Sequence, residues 1–255
     1  MMLTHSALLA LATSLIPFSH ASHHHLRSGP VAEAPQLFLS VDRTIAGVSV
    51  LDTPLIRAAQ TYASDHGSPF VYKHIMRSWL FGALVLKHNT TLSATVDREV
   101  HAVAALLHDL GWDQNPTSNS HIVSPDRRFE VDGAIAARDF LKAQLQNNLF
   151  SYANGKKWTA QRIQLVWDAI ALHTQASIAY YKEPEVEVVA KGIAMDFQGP
   201  GYGVTREEYA RVLREFPNDD MRKGVNETII WLCGTKPGST FGELLWSLYL
   251  ALKLL

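Results

Sequence analysis

The chain has 255 residues, of which 47% are hydrophobic and 18% are charged, as is usual for a globular protein with one large core. The formal net charge of −1 excludes a nucleic-acid binder that relies on bulk positive charge. A single cysteine, Cys233, excludes an intramolecular disulfide and a cysteine-rich zinc site.

The N-terminal segment is typical of a secretory leader. Residues 7–18 form an apolar run of 12 residues, which is too short to span a membrane. Ser19-His20-Ala21 follows as a small-x-small cleavage pattern, so we predict a signal peptide over residues 1–21 and a secreted protein. The first six residues carry no Lys or Arg, and a cytoplasmic protein is therefore the alternative.

The rest of the chain is dominated by helical patterns. Residues 22–50 contain scattered glycines and prolines, and we expect them to be irregular. Beyond them apolar residues recur at spacings of three and four, and no alternating strand stands out. The predicted helices cover residues 53–62, 71–88, 96–109, 129–145, 159–173, 184–196, 205–216, 220–233 and 240–254. We therefore predict an all-α fold with a single helical domain over residues 51–255, in which the loops 113–128 and 174–183 flank the polar clusters.

Several polar residues interrupt these apolar segments. His108 and Asp109 follow one another at the end of the apolar run Val103-Ala104-Ala105-Leu106-Leu107. Burying two such groups is costly unless something pairs with them, and a divalent metal takes imidazole nitrogen and carboxylate oxygen as ligands. His74, His173 and Asp196 lie in similar apolar contexts on other predicted helices. Any one of them alone is more often a hydrogen-bonded core residue or a helix cap.

The series His74, His108-Asp109 and Asp196 resembles the HD-domain superfamily of metal-dependent hydrolases. Four short sequence motifs are similar to those of its cyanamide hydratase-like fungal branch. They are His74-x-x-Arg77-Ser78-Trp79, His108-Asp109-Leu110-Gly111-Trp112, Phe129-Glu130-Val131-Asp132-Gly133-Ala134 and Leu172-His173-Thr174. The resemblance implies an HD-type helical bundle with a metal site at its centre, held by His74, His108, Asp109 and Asp196. Zinc is the first choice of ion, with iron or manganese as alternatives. Many HD phosphohydrolases carry a histidine near Phe129 that helps to hold a second metal, so the apolar residue here implies a single ion.

Catalytic roles are predicted for Asp109, Asp113 and His173. Asp113 falls one turn after Asp109 if the helix persists, where it is either a general base or a polar helix-end residue. His173 is expected to hydrogen-bond the substrate or an activated water, with an extra metal ligand as the alternative. The predicted substrate pocket consists of Arg77, Trp112, Phe129, Glu130 and His173. For Arg77, with Ser78 and Trp79 beside it, buttressing a carboxylate ligand is favoured over binding an anionic substrate, and for Glu130 a role at the helix start is favoured over a pocket contact.

The resemblance implies an enzyme that uses metal-activated water on a small substrate such as a nitrile- or cyanamide-like compound. The first alternative is an HD phosphohydrolase acting on nucleotides or other phosphate monoesters, for which Arg77, Arg127 and Arg128 would supply positive charge. The second is a non-catalytic metal-binding HD module. The expected partner is a small-molecule substrate, with neither nucleic acid nor membrane, and a homo-oligomer is left open.

Overall fold

The computed structural model describes residues 41–115, 117, 121–146 and 157–240. The strands are Val41–Ile45 (β1) and Val48–Asp52 (β2). The helices are Pro54–His66 (α1), Pro69–His88 (α2), Thr90–Thr95 (α3), Arg98–Leu107 (α4), Phe129–Gln146 (α5), Ala160–Ala171 (α6), Ala176–Ala179 (α7), Pro184–Gln198 (α8), Arg206–Glu215 (α9), Met221–Thr235 (α10) and Pro237–Thr240 (α11). The predicted all-α class is confirmed, with one short hairpin added to it.

The helices predicted between residues 53 and 233 are confirmed, with ends that shift by a few residues. Side-chain caps set several of these ends: Thr53 accepts the Ile56 amide at the start of α1, and Thr205 and Glu208 form a capping box at the start of α9. The predicted leader and residues 241–254 of the last predicted helix lie outside the described residues. Secretion therefore stays a prediction.

Residues 41–50 correct the expectation of an irregular segment over residues 22–50; residues 22–40 lie outside the described part. β1 and β2 pair antiparallel, and Ile45 lies opposite Val48. Both residues of the connecting turn have positive φ, 50° at Ala46 and 74° at Gly47, as in tight two-residue hairpin loops. Val48 and Val50 are buried. This alternation spans only five residues, which is too short to stand out in the sequence.

The central helix of the fold is α2, which packs against α4, α8, α9 and β2. Its crossing with α8 is close, because a Cβ at Gly192 would lie 2.5 Å from the carbonyl oxygen of Ser78. The close crossing brings Asp196 of α8 beside His74 of α2. In the described part of the chain, no helix combines the length and the apolarity that crossing a bilayer would require.

Candidate metal centre

The His108-Asp109 pair lies where α4 ends. The helix stops at Leu107, and the chain passes through Asp109 (φ −105°, ψ 22°) into a 3₁₀ turn, Leu110–Trp112. Gly111 lets this turn pack against the start of α5, because a Cβ there would lie 2.1 Å from the carbonyl oxygen of Phe129. The Asp109 side chain makes no capping bond to the turn. Its carboxylate is therefore free to face the neighbouring histidines.

Three predicted ligands converge in the core. His74 Nε2 lies 3.2 Å from His108 Nε2 and 3.5 Å from Asp109 Oδ2, and His108 Nε2 lies 3.3 Å from the same oxygen. All three residues are at most 2% exposed. One atom from each lies close enough to the other two to share a metal ion.

The hydrogen bonds of Nδ1 in His74 and His108 determine which ring nitrogen carries the proton. His74 Nδ1 lies 2.6 Å from Asp196 Oδ2, and His108 Nδ1 lies 2.8 Å from the carbonyl oxygen of Ala105. A carboxylate and a carbonyl only accept hydrogen bonds, so each Nδ1 carries a proton, and in the neutral ring each Nε2 presents a lone pair. Two lone pairs 3.2 Å apart repel one another unless a cation or a proton lies between them.

His173 follows the same rule. At the end of α6 its Nδ1 donates to the carbonyl oxygen of Ile170 over 2.7 Å, which leaves the lone pair on Nε2. This Nε2 lies 3.7 Å from Asp109 Oδ1. Asp109 therefore faces His74 and His108 with one oxygen and His173 with the other. Burial and the charge of His108 lower the pKa of His173 to about 4, so its ring is neutral.

The Asp109 carboxylate is buried, and neither of its oxygens accepts a hydrogen bond. Burial favours its neutral form, but the electrostatic interaction with His108, and to a smaller degree with His74, outweighs burial and lowers the pKa of Asp109 to about 2. Burial likewise opposes ionisation of His108, yet Asp109 raises its pKa on balance. An ionised buried carboxylate faced by the Nε2 atoms of neighbouring imidazoles is the donor set that a divalent metal requires, because a bound cation would take the place of the shared proton. The residues present therefore fit such an ion.

Asp196 was predicted as the fourth ligand, but it lies behind the His74 ring. Its Oδ2 accepts from His74 Nδ1, on the far side of the ring from the converging Nε2. Arg77 donates to both its oxygens, through Nε over 2.6 Å and Nη2 over 2.8 Å. The structure thus brings together three of the four predicted ligands. Asp196 orients His74, and Arg77 takes the buttressing role rather than a place in the pocket.

Asp113 is not brought to the site. Its Oδ2 lies 2.8 Å from His66 Nδ1, and its Oδ1 accepts the Asn115 amide. The expectation of a residue one turn after Asp109 fails because α4 ends at Leu107 and the 3₁₀ turn redirects the side chain. Asp113 fastens the end of α1 to this turn.

The metal centre opens into a cavity of about 350 Å³. Trp112, Phe129 and His173, all predicted as pocket residues, line it. Glu130 does not: it is fully buried and accepts from Arg128 and from Thr174, a lining residue. Glu130 therefore supports the wall from behind.

Sequence reasoning missed the part of the wall that α8 supplies. Ala190, Ile193, Ala194 and Phe197 line the cavity at spacings of three and four, which is one face of the helix. Such a stripe is indistinguishable in sequence from an ordinary core face. The predicted flanking loop 174–183 does contribute, with Thr174, residues 175–177 and Tyr180.

A scan against family models matches the HD domain over residues 71–215, which is more than half of the chain and includes every residue of the candidate metal centre. The chain belongs to the HD domain family. Members of this superfamily are generally metal-dependent hydrolases, and the His-His-Asp cluster can bind a divalent metal accordingly. No curated protein matches the chain. The HD assignment therefore stands on the family model and on the site itself.

Proposed function

We propose that this HD protein is a hydrolase or hydratase with one bound zinc ion, and that it adds water to a small, uncharged substrate with a polarised carbon–nitrogen bond, such as a nitrile or a cyanamide. The observation that carries the proposal is the cavity that opens from His74 and Asp109. Its volume of about 350 Å³ suits a small molecule.

The charge of the cavity wall favours an uncharged substrate. Among the described residues, no Lys or Arg lines the cavity. The nearby arginines pair with carboxylates instead: Arg77 with Asp196, Arg127 with Asp132 and Arg128 with Glu130. A phosphate monoester carries negative charge that needs such groups beside it. The polar lining residues Thr174, Gln175 and Gln198 suit hydrogen bonding to a neutral substrate.

The bound ion would supply the Lewis acidity that makes water a nucleophile near neutral pH. The chain's own residues supply orientation and proton transfer. His173 Nε2, neutral and without a proton, would accept the proton that water loses beside Asp109 as the water oxygen bonds to the substrate carbon, and would return that proton to the substrate nitrogen. Trp112 and Phe129 line the cavity beside His173 and Asp109, and their apolar rings would keep bulk solvent away from the reacting water.

A phosphohydrolase is the second candidate, and one contact favours it. Arg128 Nη2 donates to Thr174 Oγ1 over 3.3 Å, and Thr174 lines the cavity. The guanidinium thus lies one residue behind the wall. A rotation of its side chain would bring positive charge to the cavity.

The test is a pair of substrate panels on the purified chain, with bound metal measured by elemental analysis. Cyanamide and small nitriles should give urea or the amide, and phosphate monoesters should release no phosphate. Replacing His173→Asn should lower kcat by about 10²- to 10⁴-fold without removing the metal, because proton transfer is lost. The matched control is His121→Asn at an exposed position, which should leave kcat unchanged. Turnover of phosphate monoesters alone would replace the first candidate by the second.

A further inference from the structure

The cavity has a buried end and a solvent end. His74, Asp109 and His173 form the buried end, at 1–8% exposure. Ala176, Ser177 and Gln198 are exposed lining residues and form the mouth. Tyr180 also lines the cavity and is half-buried, so its exposure is intermediate between those of the two ends.

Tyr180 is tied to a second tyrosine outside the wall. Its hydroxyl lies 3.0 Å from the hydroxyl of Tyr202, in the loop that follows α8. Burial and this bond raise the pKa of Tyr180, so its hydroxyl is a neutral group. Lys191 Nζ lies 5.1 Å from the centre of the Tyr202 ring and pairs with Glu187 one turn earlier on α8. Tyr202 is therefore held from two sides.

The backbone of Tyr202 is unusual for its residue type. Val204 N–H donates to Gly201 O over 2.9 Å and closes a turn whose central residues are Tyr202 (φ 53°) and Gly203 (φ 87°). This is the pattern of a type I′ turn, which favours Asn or Gly at the position of Tyr202. A bulky residue at positive φ is strained, and such strain often marks a functional position.

We propose that the Tyr180–Tyr202 bridge is a size filter at the mouth of the cavity, which slows the entry of molecules larger than one small ring to the metal centre. The bridge ties the segment after α7 to the loop after α8, and these two segments flank the mouth. The inference rests on the proposed function, because it presumes that a small substrate reaches a metal at the buried end. It adds two specificity-determining residues that do not touch the metal ligands.

The experiment uses the full chain loaded with Co²⁺, whose visible absorption reports ligands that reach the metal. Imidazole and 4-phenylimidazole serve as probes, because they offer the same donor nitrogen and differ by one ring. Stopped-flow measurements give their association rates for the wild type, Tyr180→Ala and Tyr202→Asn. Both variants should admit 4-phenylimidazole about tenfold faster, while the rate for imidazole changes less than about twofold.

Tyr202→Asn also separates a filter from a structural tyrosine. Asn suits the type I′ position, so this variant should raise Tm by about 2–4 °C while it speeds entry. A lower Tm together with an unchanged entry rate of 4-phenylimidazole would assign Tyr202 a purely structural role and contradict the filter. Tyr181→Ala is the matched control, since Tyr181 is 88% exposed and does not line the cavity. It should change neither rate.

The outcomes distinguish the filter from the metal centre. Unchanged rates for 4-phenylimidazole in a cobalt-loaded Tyr180→Ala would overturn the filter and leave the metal centre standing. Equal acceleration in Tyr181→Ala would also overturn it, because general loosening would then explain the effect. A chain that takes up no Co²⁺ would contradict the metal centre and, with it, the inference that depends on it.

Discussion

The two ends of α4 carry buried carboxylates in opposite situations. At the N-terminal end, Glu99 Oε1 accepts from Thr53 Oγ1 over 2.7 Å, and Oε2 accepts from Trp158 Nε1 and Arg162 Nη2, both over 3.0 Å. Just beyond the C-terminal end, Asp109 accepts no hydrogen bond at either oxygen. Both residues are at most 2% exposed. Both carboxylates are thus equally buried, but Glu99 accepts hydrogen bonds from three side chains and Asp109 accepts none.

The difference separates carboxylates that hold the fold from one that holds a ligand. A buried carboxylate is costly without partners, so its partners show its role. Within the described residues, the buried carboxylates that accept hydrogen bonds are Glu99, Asp113, Glu130, Asp132, Glu185, Asp196 and Glu208. Asp109 is the exception in this part of the chain. It is also the one that faces the Nε2 atoms of three imidazoles, which is where a cation would complete its coordination.

The largest effect is expected at Asp109. Asp109→Asn removes the charge but keeps the shape, so metal affinity should fall by more than about 100-fold and hydrolytic activity should be lost. The metal-free variant should be less stable than the metal-free wild type, because the neighbouring histidines favour the ionised form of Asp109 in the folded state. Elemental analysis and urea unfolding in the presence of a chelator measure the two quantities. Full metal content in Asp109→Asn would contradict the metal centre.

Glu99 should differ from Asp109 in its effect on the metal: substitution should lower stability and leave the metal content unchanged. Glu99→Leu leaves Trp158 Nε1 and Arg162 without this acceptor, and should lower the free energy of unfolding by about 3–5 kcal/mol. The metal content should remain that of the wild type, because Glu99 lies at the other end of α4. Urea unfolding with the chelator present measures the loss. Should Leu prove too disruptive to purify, Glu99→Gln should show a smaller loss of about 1–3 kcal/mol.

Asp196 tests an intermediate case, a paired carboxylate that acts on the metal through His74. Asp196→Asn weakens the acceptor that fixes the proton on His74 Nδ1, so metal affinity should fall by about 10- to 100-fold. Competition with a chelator of known affinity measures this change. A loss as large as that of Asp109→Asn would instead show Asp196 to be a direct ligand, as the sequence predicts.

Much of the helical framework follows from the sequence. α2 was predictable because apolar residues recur along Val71, Ile75 and Trp79, and its C-terminal end was placed correctly at His88. The convergence of His74 with His108-Asp109 was implied by the resemblance to the HD superfamily, and the cost of burying such polar groups agrees with it. The hairpin was not, because its buried alternation is confined to β2.

The roles of the individual carboxylates were less predictable, for two physical reasons. The resemblance places Asp196 near His74 but does not say which ring nitrogen it meets, and that choice decides between a ligand and an orienting group. For Asp113 the prediction depended on a continuous helix. The turn at Leu110–Trp112 changes the direction of the chain, and Asp113 meets His66 instead.

The smallest effect is expected at Glu208, a paired carboxylate near the surface. Its oxygens accept from Lys87 Nζ over 2.7 Å and His88 Nε2 over 2.8 Å, which ties α9 to the last turn of α2. Burial opposes ionisation, but bonds from Lys87, Thr205 and His88 outweigh it and lower the pKa of Glu208 from 4.5 to about 2. The folded state therefore binds fewer protons than the unfolded state. Its contribution to stability is complete above pH 4.5 and disappears as the pH falls towards 2.

Glu208→Gln isolates this contribution, because glutamine can keep the capping box with Thr205 while it loses the ionic pairs. At pH 6 the free energy of unfolding of the variant should be about 1 kcal/mol lower than that of the wild type, and the difference should vanish near pH 2. Glu207→Gln is the matched control, since its side chain is 82% exposed and pairs with Arg211 at the surface. Its effect should stay within about 0.5 kcal/mol at both pH values. A loss of stability in Glu208→Gln that does not depend on pH would mean that packing rather than charge anchors α9. Hydrogen-bond partners would then no longer separate the structural carboxylates from Asp109.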